Sequence, residues 1–353
     1  MTSRIWVVGA LGLGFALTGL AIGASAIGVE QQNAALGACD AYAGLPADDE
    51  EKSGMTFIQG GTFQMGSEKH RPEERYVHRV EVDGFWIDRH EVTNAQFRKF
   101  VDATGYVTLA ERGLDPKAFP QMPKELLVPG SLVFVQPAES QQGNRNAQWW
   151  RYMAGANWRQ PTGPGSSIAG KDNHPVVHVA YEDALSYARW RGRDLPTEAQ
   201  WEFAARGGRD GEDDWSSAFD AEGKPIANTW QGIFPVLDTK DDGYAGTAPV
   251  GCFKPNGYGL HDMIGNVWEL TNDWYRPGHS RSAAVNPSGP EFASLWLAPG
   301  QASHVIKGGS HLCAANYCSR YRPAARQPQE ANISAVHVGF RTVLNGAERL
   351  RPN

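Results

Sequence analysis

Residues 85–106 read FWIDRHEVTNAQFRKFVDATGY, and they pass from a strand-like pattern to a helix-like pattern within a few positions. Upstream, TFIQGGTFQMGS and YVHRVEVDG show partial apolar alternation broken by Gly-Gly and Asp-Gly, which is typical of short antiparallel strands joined by tight turns. Thr93 and Gln96 have the spacing of a capping box, and an apolar helical face then continues until Gly105. The stretch therefore predicts short strands followed by one helix.

Two further helices are predicted downstream, and little regular structure is predicted after them. One runs from Tyr181 to Arg191, and the other opens after Thr197 and ends at Gly207-Gly208. The chain has 40 Gly, 22 Pro and 12 Trp among 353 residues, so turns and aromatic packing should replace long helices. We expect an α+β domain with low regular secondary structure and long ordered loops.

The N-terminus carries the clearest compositional signal. Residues 5–29, IWVVGALGLGFALTGLAIGASAIGV, contain no charged residue, and Ala24-Ser25-Ala26 resembles a signal cleavage site. The run is also long enough to span a membrane, so residues 1–29 are predicted to be a signal peptide or an N-terminal membrane anchor. The body of the protein should then be extracytoplasmic, either periplasmic, secreted or anchored outside the cytoplasm, where disulfides persist.

The remaining boundaries follow from composition. Residues 30–54 lack periodicity and end in an acidic run, so they are predicted to be a linker, followed by one domain over 55–346 and a tail over 347–353. A net charge of -6 gives no basic surface of the kind that neutralises phosphates, so no nucleic-acid partner is expected.

The segment 307–326, KGGSHLCAANYCSRYRPAAR, places two of the four cysteines five positions apart, at Cys313 and Cys318. A structural disulfide, a metal site and a redox-active pair are the alternatives, and spacing with compartment alone favours the disulfide. Two thiolates are soft ligands that select Cu(I), zinc or an iron–sulfur centre. Zinc would need further Cys or His ligands, whereas two-coordinate Cu(I) fits the ligand count.

Two oxygen-rich segments are candidate calcium sites. Asn228-Thr229 with 241–244 (DDGY), and separately 262–269 (DMIGNVWE), combine carboxylate or carboxamide groups with carbonyls in turns. Ca²⁺ takes six to eight oxygen ligands in flexible geometry, but neither segment matches an EF-hand loop. On the residues alone, a solvated acidic turn is the preferred interpretation of each.

Taken together, these motifs resemble the formylglycine-generating enzymes, or sulfatase-modifying factor family, from about residue 55 to 343. The landmarks occur in order and include GGTFQMGS, the opening stretch, the two downstream helices, NTWQGIFPV, GYGLHDMIGNVWEL, the cysteine segment and VGFR. The specific part is GGSHLCAANYC, because relatives that share only the fold markers lack the cysteines. The resemblance implies a single domain with a C-type-lectin-like core that is commonly stabilised by two Ca²⁺ ions.

The resemblance also implies roles for individual residues. One calcium site would use Asn228, Thr229, Asp242 and Tyr244; the other would use Asp262, Gly265, Val267 and Glu269. Cys313 and Cys318 would bind Cu(I), with Ser310, Tyr317 and Trp268 lining the pocket where O₂ reacts. The implied activity is oxidation of a peptidyl cysteine in a Cys-x-Pro-x-Arg segment to formylglycine, which activates sulfatases.

The resemblance also implies which residues contact the substrate peptide: Glu91, Ala110, Asp115, Ser334 and His337. Residues 327–341, QPQEANISAVHVGFR, depart from the family pattern, and His337 stands where the family has Asn. Partners are then a peptide or unfolded sulfatase and O₂, and the protein is expected to be a monomer. Cys39 and Cys252 are left over and are predicted to form a bridge.

Two other function classes stay open at this point. One is a non-catalytic lectin-like module that binds peptide or glycan through its loops. The other is an iron-dependent sulfoxide synthase of the same fold, which needs a multi-histidine metal site and ranks last because the ten histidines are scattered along the chain.

Overall fold

The computed structural model describes residues 50–137, 149–209, 218–290 and 302–345. The predicted signal or anchor segment, most of the predicted linker and the tail lie outside these residues. Within the four ranges, no helix is long and apolar enough to cross a membrane.

The described residues form short strands arranged in small sheets. The strands are β1 Met55–Ile58, β2 Gly61–Met65, β3 His78–Val82, β4 Phe85–Asp88, β5 Gly130–Phe134, β6 Trp150–Ala154, β7 Gly232–Ile233, β8 Leu237–Asp238, β9 Trp268–Trp274, β10 Ala284–Val285, β11 Ser303–Lys307, β12 Gln327–Glu330, β13 Val338–Gly339 and β14 Val343–Leu344. Their orders are β1-β4-β14, β10-β3-β2 and β12-β11-β9-β13, with two hairpins, β5-β6 and β7-β8. Because β14 pairs antiparallel with β4, the two ends of the domain meet in one sheet.

Four α-helices accompany these sheets in the described residues: α1 Asn94–Thr104, α2 Leu109–Arg112, α3 Tyr181–Trp190 and α4 Glu198–Arg206. Two 3-10 helices, Pro72–Glu74 and Lys124–Leu126, are also present among these residues. Thr93 and Gln96 form the predicted capping box of α1, and Gly105 closes it with a left-handed φ of 68°. Gly207 closes α4 in the same conformation. The three predicted helices are confirmed, and the single-turn α2 is the one α-helix among the described residues that was not predicted. The predicted α+β class is also confirmed.

Two large apolar cores hold the layers together in the described residues, and a smaller third one forms around Trp230, Phe234 and Leu312. In one, α1 and α3 pack around Phe97 and Tyr187 against Trp268 of β9 and against both Cys313 and Cys318. In the other, α4 packs against strands β1 to β4. The cysteine segment is therefore part of the core of the domain.

Buried ion pairs connect the loops, which have little regular backbone hydrogen bonding of their own. Each joins segments far apart in the chain: Arg341 to Glu269, Arg326 to Glu198, Arg322 to Glu74 and Lys307 to Glu202. Arg326 is bidentate, with its Nε and Nη2 at 2.7 and 2.8 Å from the Glu198 oxygens. Removing one partner of such a pair leaves the other charge buried and uncompensated.

We expect Arg326→Met to lower the free energy of unfolding by about 3–5 kcal/mol, because Glu198 loses its bidentate partner inside the core. Urea unfolding followed by tryptophan fluorescence would measure the loss. Arg98→Met is the matched control, because Arg98 and Asp172 form an exposed pair 2.8 Å apart and its loss should cost less than about 1 kcal/mol. Equal effects of the two substitutions would contradict the proposed importance of the buried pairs.

Candidate active site

The cysteine loop turns sharply at two glycines that follow β11. Gly308 and Gly309 have φ values of 91° and 73°, in the left-handed region that favours glycine. A Cβ on Gly308 would lie 3.0 Å from the Trp201 ring, and one on Gly309 would lie 2.9 Å from the Tyr321 Cα. The Gly-Gly pair is therefore required both by conformation and by space, and it directs the following residues into the core.

Two consecutive turns then bring the cysteines together. Cys313 donates its backbone N–H to the Ser310 carbonyl, and Cys318 donates its own to Ala314. The two sulfurs lie 2.7 Å apart, and both side chains are buried free thiols. The disulfide favoured by spacing alone was therefore wrong for this structure, because burial and the two turns hold the sulfurs together without a bond.

Both sulfurs face a cavity of about 290 Å³. Five residues predicted from the sequence line it: Cys313, Cys318, Ser310, Tyr317 and Trp268, and His337 from the substrate set joins them. The sequence reasoning missed six others: Arg71, Trp150, Phe234, Leu312, Arg320 and Gln327. Phe234 lies in the NTWQGIFPV landmark, which could have indicated it.

Aromatic rings close two sides of this cavity. Tyr317, at 47% exposure, stacks on Phe234 with ring centroids 4.2 Å apart and planes 12° apart. His337 lies 4.6 Å from the Trp150 ring centroid, and burial lowers its pKa to about 3. A neutral imidazole and an exposed phenol therefore stand at the cavity, together with a fully buried Ser310 hydroxyl.

The two thiols have different proton affinities. The hydrogen bond from Cys313 is the main cause that lowers the pKa of Cys318 to about 7, and the guanidinium of Arg320 adds to it. Burial raises the pKa of Cys313 well above the usual thiol range. Arg320 is held in place by Glu73, whose Oε1 lies 2.7 Å from its Nη2. Cys318 is thus the thiol that ionises first.

The other predicted substrate positions lie elsewhere. Glu91 has no exposed surface, Ala110 is buried in α2, and Ser334 is buried with its hydroxyl 2.7 Å from the Ser131 hydroxyl. These three side chains leave no surface for a peptide to contact in this structure. Asp115 is exposed, but it is not among the described residues that line the cysteine cavity.

The first predicted calcium site brings two of its four predicted ligands together, the Thr229 carbonyl and the Asp242 carboxylate. Asp242 accepts hydrogen bonds from the backbone N–H groups of Thr229 and Tyr244, at 3.2 and 2.9 Å, and burial raises its pKa. The Gln231 side-chain amide donates to the Thr229 carbonyl and to Asp242. The amide nitrogen therefore lies between the Thr229 carbonyl and the Asp242 carboxylate. Carboxylate and carbonyl oxygens are the ligands that a hard cation prefers.

The second predicted calcium site is more acidic than the sequence indicated. Asp262 is buried, accepts a 2.7 Å hydrogen bond from Gly251 and has a pKa raised to about 6, chiefly by burial. Glu269 is fully buried and held bidentately by Arg341 at 2.6 and 2.7 Å. Glu91 lies beside them, and burial followed by the charges of Asp262 and Glu269 raises its pKa well above the usual range.

One group in the described part of the chain has the spacing of three His or carboxylate metal ligands: Glu198, Glu202 and His279. Arg326, Arg206 and Lys307 already neutralise its two carboxylates, so a cation would have to displace them. It also holds one histidine, so it does not supply the multi-histidine site that a sulfoxide synthase would need.

Asp273 lies beside this cluster and accepts a 2.9 Å hydrogen bond from the Glu198 backbone N–H. Burial, with the Glu198 charge second, raises the pKa of Asp273 to about 7. Separately, Cys252 is disulfide-bonded, whereas Cys39, its predicted partner, lies outside the described residues.

The sequence is similar to known proteins over most of its length. Residues 42–346 match the family model of the sulfatase-modifying factor enzyme 1-like domain. A formylglycine-generating enzyme of Mycobacterium tuberculosis is 48% identical over 291 residues, which cover 82% of this chain and 97% of that protein. A Bos taurus protein named inactive C-alpha-formylglycine-generating enzyme 2 is 36% identical, covering 84% of this chain and 89% of that one.

Among solved structures, PvdO from Pseudomonas aeruginosa superposes with a TM-score of 0.57 at 23% identity, covering 85% of this chain and 97% of that one. At this identity the likeness concerns the fold alone. It agrees with the low helix content and the small sheets described above.

Alkylation of the metal-stripped protein should report the two thiol pKa values. Cys318 should react with iodoacetamide with a midpoint near pH 7, and Cys313 should react only at higher pH, as read by peptide mass spectrometry. Arg320→Gln should move the Cys318 midpoint upward because it removes a neighbouring positive charge. A wild-type midpoint near the ordinary thiol pKa of about 8.5 would contradict this assignment.

Asp273 should make stability depend on pH. Its folded pKa of about 7 lies above the unfolded value of about 3.9, so its contribution favours folding at low pH and is lost as pH rises through 7. Relative to Asp273→Asn, the wild type should lose about 1.4 kcal/mol of unfolding free energy per unit between pH 5 and pH 7. Urea unfolding at each pH measures this loss.

The control for that comparison is Asp102→Asn, which removes an exposed carboxylate from α1. It should leave the pH profile parallel to that of the wild type. If the pH profile of Asp273→Asn is also parallel to that of the wild type, the buried carboxyl does not titrate in this range.

Proposed function

Because the chain belongs to the sulfatase-modifying factor enzyme family, we propose that it oxidises a peptidyl cysteine to Cα-formylglycine and thereby activates sulfatases. The chain spans nearly the whole length of the Mycobacterium tuberculosis relative that bears the name of this activity. A relative named inactive is also 36% identical, so family membership alone does not carry the assignment. The observation that carries it is the pair of buried free thiols facing one cavity.

The donor set at this cavity fits Cu(I). Cys313 and Cys318 are soft ligands, both are free, and no carboxylate is among the described residues that line the cavity to attract a hard cation. These two sulfurs would hold the metal, which when bound supplies an electron to O₂. The lowered pKa of Cys318 means that one ligand is ionised near neutral pH without strong base.

The remaining residues prepare the cavity for a peptide thiol. Trp268 and the stacked Tyr317–Phe234 pair exclude water, which limits side reactions of a reactive oxidant. Ser310 and Tyr317 present hydroxyls that can hydrogen-bond O₂ or the incoming sulfur. Arg71 and Arg320 place positive charge at the wall, which favours an entering thiolate over a neutral thiol.

The reaction balances with O₂ as the oxidant. The substrate side chain CH₂–SH loses two electrons and two hydrogens, one of them from Cβ, to become a thioaldehyde. O₂ accepts the two electrons together with the two protons and is reduced to hydrogen peroxide. Water then adds to the C=S group and releases hydrogen sulfide, which leaves the aldehyde of formylglycine.

The wider proposal includes two Ca²⁺ sites, a Cys-x-Pro-x-Arg substrate and action as an extracytoplasmic monomer. Support for calcium comes from the Thr229 carbonyl and Asp242 carboxylate, which share the Gln231 amide, and from the buried acidic cluster around Asp262. Support for the location comes from the uncharged run at residues 5–29. The altered segment 327–341 leads us to expect a peptide preference that differs around His337.

Aldehyde formation on a Cys-x-Pro-x-Arg peptide, read by mass spectrometry after incubation with Cu(I) and O₂, tests the function. The same peptide with Ser for Cys, and an anaerobic reaction, are the controls. Absence of turnover on any cysteine peptide, together with retained peptide or glycan binding, would instead establish the non-catalytic lectin-like module.

Cys313→Ser and Cys318→Ser should each reduce turnover by more than about 1000-fold and abolish copper binding, because one thiolate cannot hold a two-sulfur site. Asn316→Ser, an exposed change in the same loop, should leave turnover and copper binding unchanged. Copper content by elemental analysis separates loss of metal from loss of fold. Full turnover by either cysteine variant would exclude the proposed mechanism.

A further inference from the structure

The cluster formed by Glu91, Asp262 and Glu269 has an excess of buried negative charge. All three carboxyl groups have less than 9% of their surface exposed, and Glu91 and Glu269 have none. Arg341 is the cation that acts on Glu91 and Asp262. Three carboxylates against one guanidinium leave two negative charges without compensation when all are ionised, which is costly in a buried site.

Four of the five N–H groups of Arg341 have partners other than Glu91 and Asp262. Its Nε and Nη2 bind the two oxygens of Glu269, and Nη2 also reaches the His261 carbonyl. Its Nη1 donates to the Asp88 carbonyl. The guanidinium therefore compensates Glu269, and the uncompensated charge falls on the other two carboxyls.

Glu91 carries the clearest sign of a missing partner. Its Oε1 accepts a 3.1 Å hydrogen bond from the Asn266 amide, but Oε2 is buried with no hydrogen-bond donor among the described residues. A second group within hydrogen-bonding reach of Glu91 is the carboxyl of Asp262, which has no N–H. A buried carboxylate oxygen without a donor is rare and points to an ion at this position.

The hydrogen bonds around the pair favour its ionised form. Asp262 accepts the Gly251 backbone N–H at 2.7 Å, and Glu91 accepts the Asn266 amide. Donors to carboxylate oxygens stabilise the charged state, in which the two groups repel unless a cation lies between them. A hard divalent cation is the ligand that two carboxylates bind most strongly.

The geometry points to Glu91 as a ligand of the divalent cation at the Asp262 site, and not as a residue that contacts the peptide. This inference rests on the second calcium site of the proposed function, to which it adds a carboxylate. It also explains why Glu91 is buried although its sequence position suggested a groove. Asn266 would then link the cation site to the cysteine loop, because its carbonyl accepts the His311 backbone N–H.

Isothermal titration of the chelator-stripped full chain with CaCl₂ tests this assignment. We expect two equivalents of Ca²⁺ for the wild type, one for Glu91→Gln and one for Asp242→Asn, the matched control at the other site. Glu91→Gln keeps the size and the acceptor for Asn266, so it should fold and lose at least 100-fold in affinity at one site. Glu91→Asp, with a shorter arm, should weaken that site less and serves if Glu91→Gln does not fold.

The role of Glu91 would be overturned if Glu91→Gln still bound two equivalents of Ca²⁺ with affinities within about threefold of the wild type. The same criterion applies to Glu91→Asp where that variant is used. No Ca²⁺ binding by the wild type would overturn the whole site and would leave a shared proton as the explanation. Turnover of the copper-loaded enzyme is measured separately, so failure of the oxidase proposal is distinguished from failure here.

Discussion

The bidentate pair between Arg341 and Glu269 is the interaction on which the rest of the structure depends. Glu269 lies on β9, the strand that also carries Trp268, and Arg341 lies between β13 and β14 near the end of the domain. With few long helices and only short strands, loops have little backbone hydrogen bonding to fix them. Buried arginine–carboxylate pairs provide directional contacts where backbone hydrogen bonds are few. Each pair is tolerated in the core because its two charges neutralise each other.

Buried ion pairs of this kind also fix the position of the cysteine loop. Arg322 and Arg326 both follow Cys318 within eight residues, and their partners Glu74 and Glu198 lie in different layers of the domain. The loop is therefore clamped on its C-terminal side by charge and on its N-terminal side by Gly308 and the core. A metal site of two sulfurs needs this preorganisation, because it has few ligands to define its own geometry.

Local sequence signals predicted local structure well. The capping box at Thr93 and the glycine that ends α1 act within a few residues, so the helix bounds followed directly. Contacts between segments that are far apart in the sequence could not be predicted from such local signals. The burial of Glu91 depends on 262–269 and on Arg341, and no pattern within residues 85–106 reports it. Likewise Phe234 and Trp150 reach the cysteine cavity only through the fold, whereas Ser310, Tyr317 and Trp268 were found through resemblance to a family.

The pairing of β14 with β4 also constrains how the molecule is made. Thr342 donates its backbone N–H to the Asp88 side chain, 254 residues earlier, and Val343 pairs with Ile87 beside it. The first sheet cannot close while the ribosome still holds the last strand, so the completed chain must exist before the domain can mature.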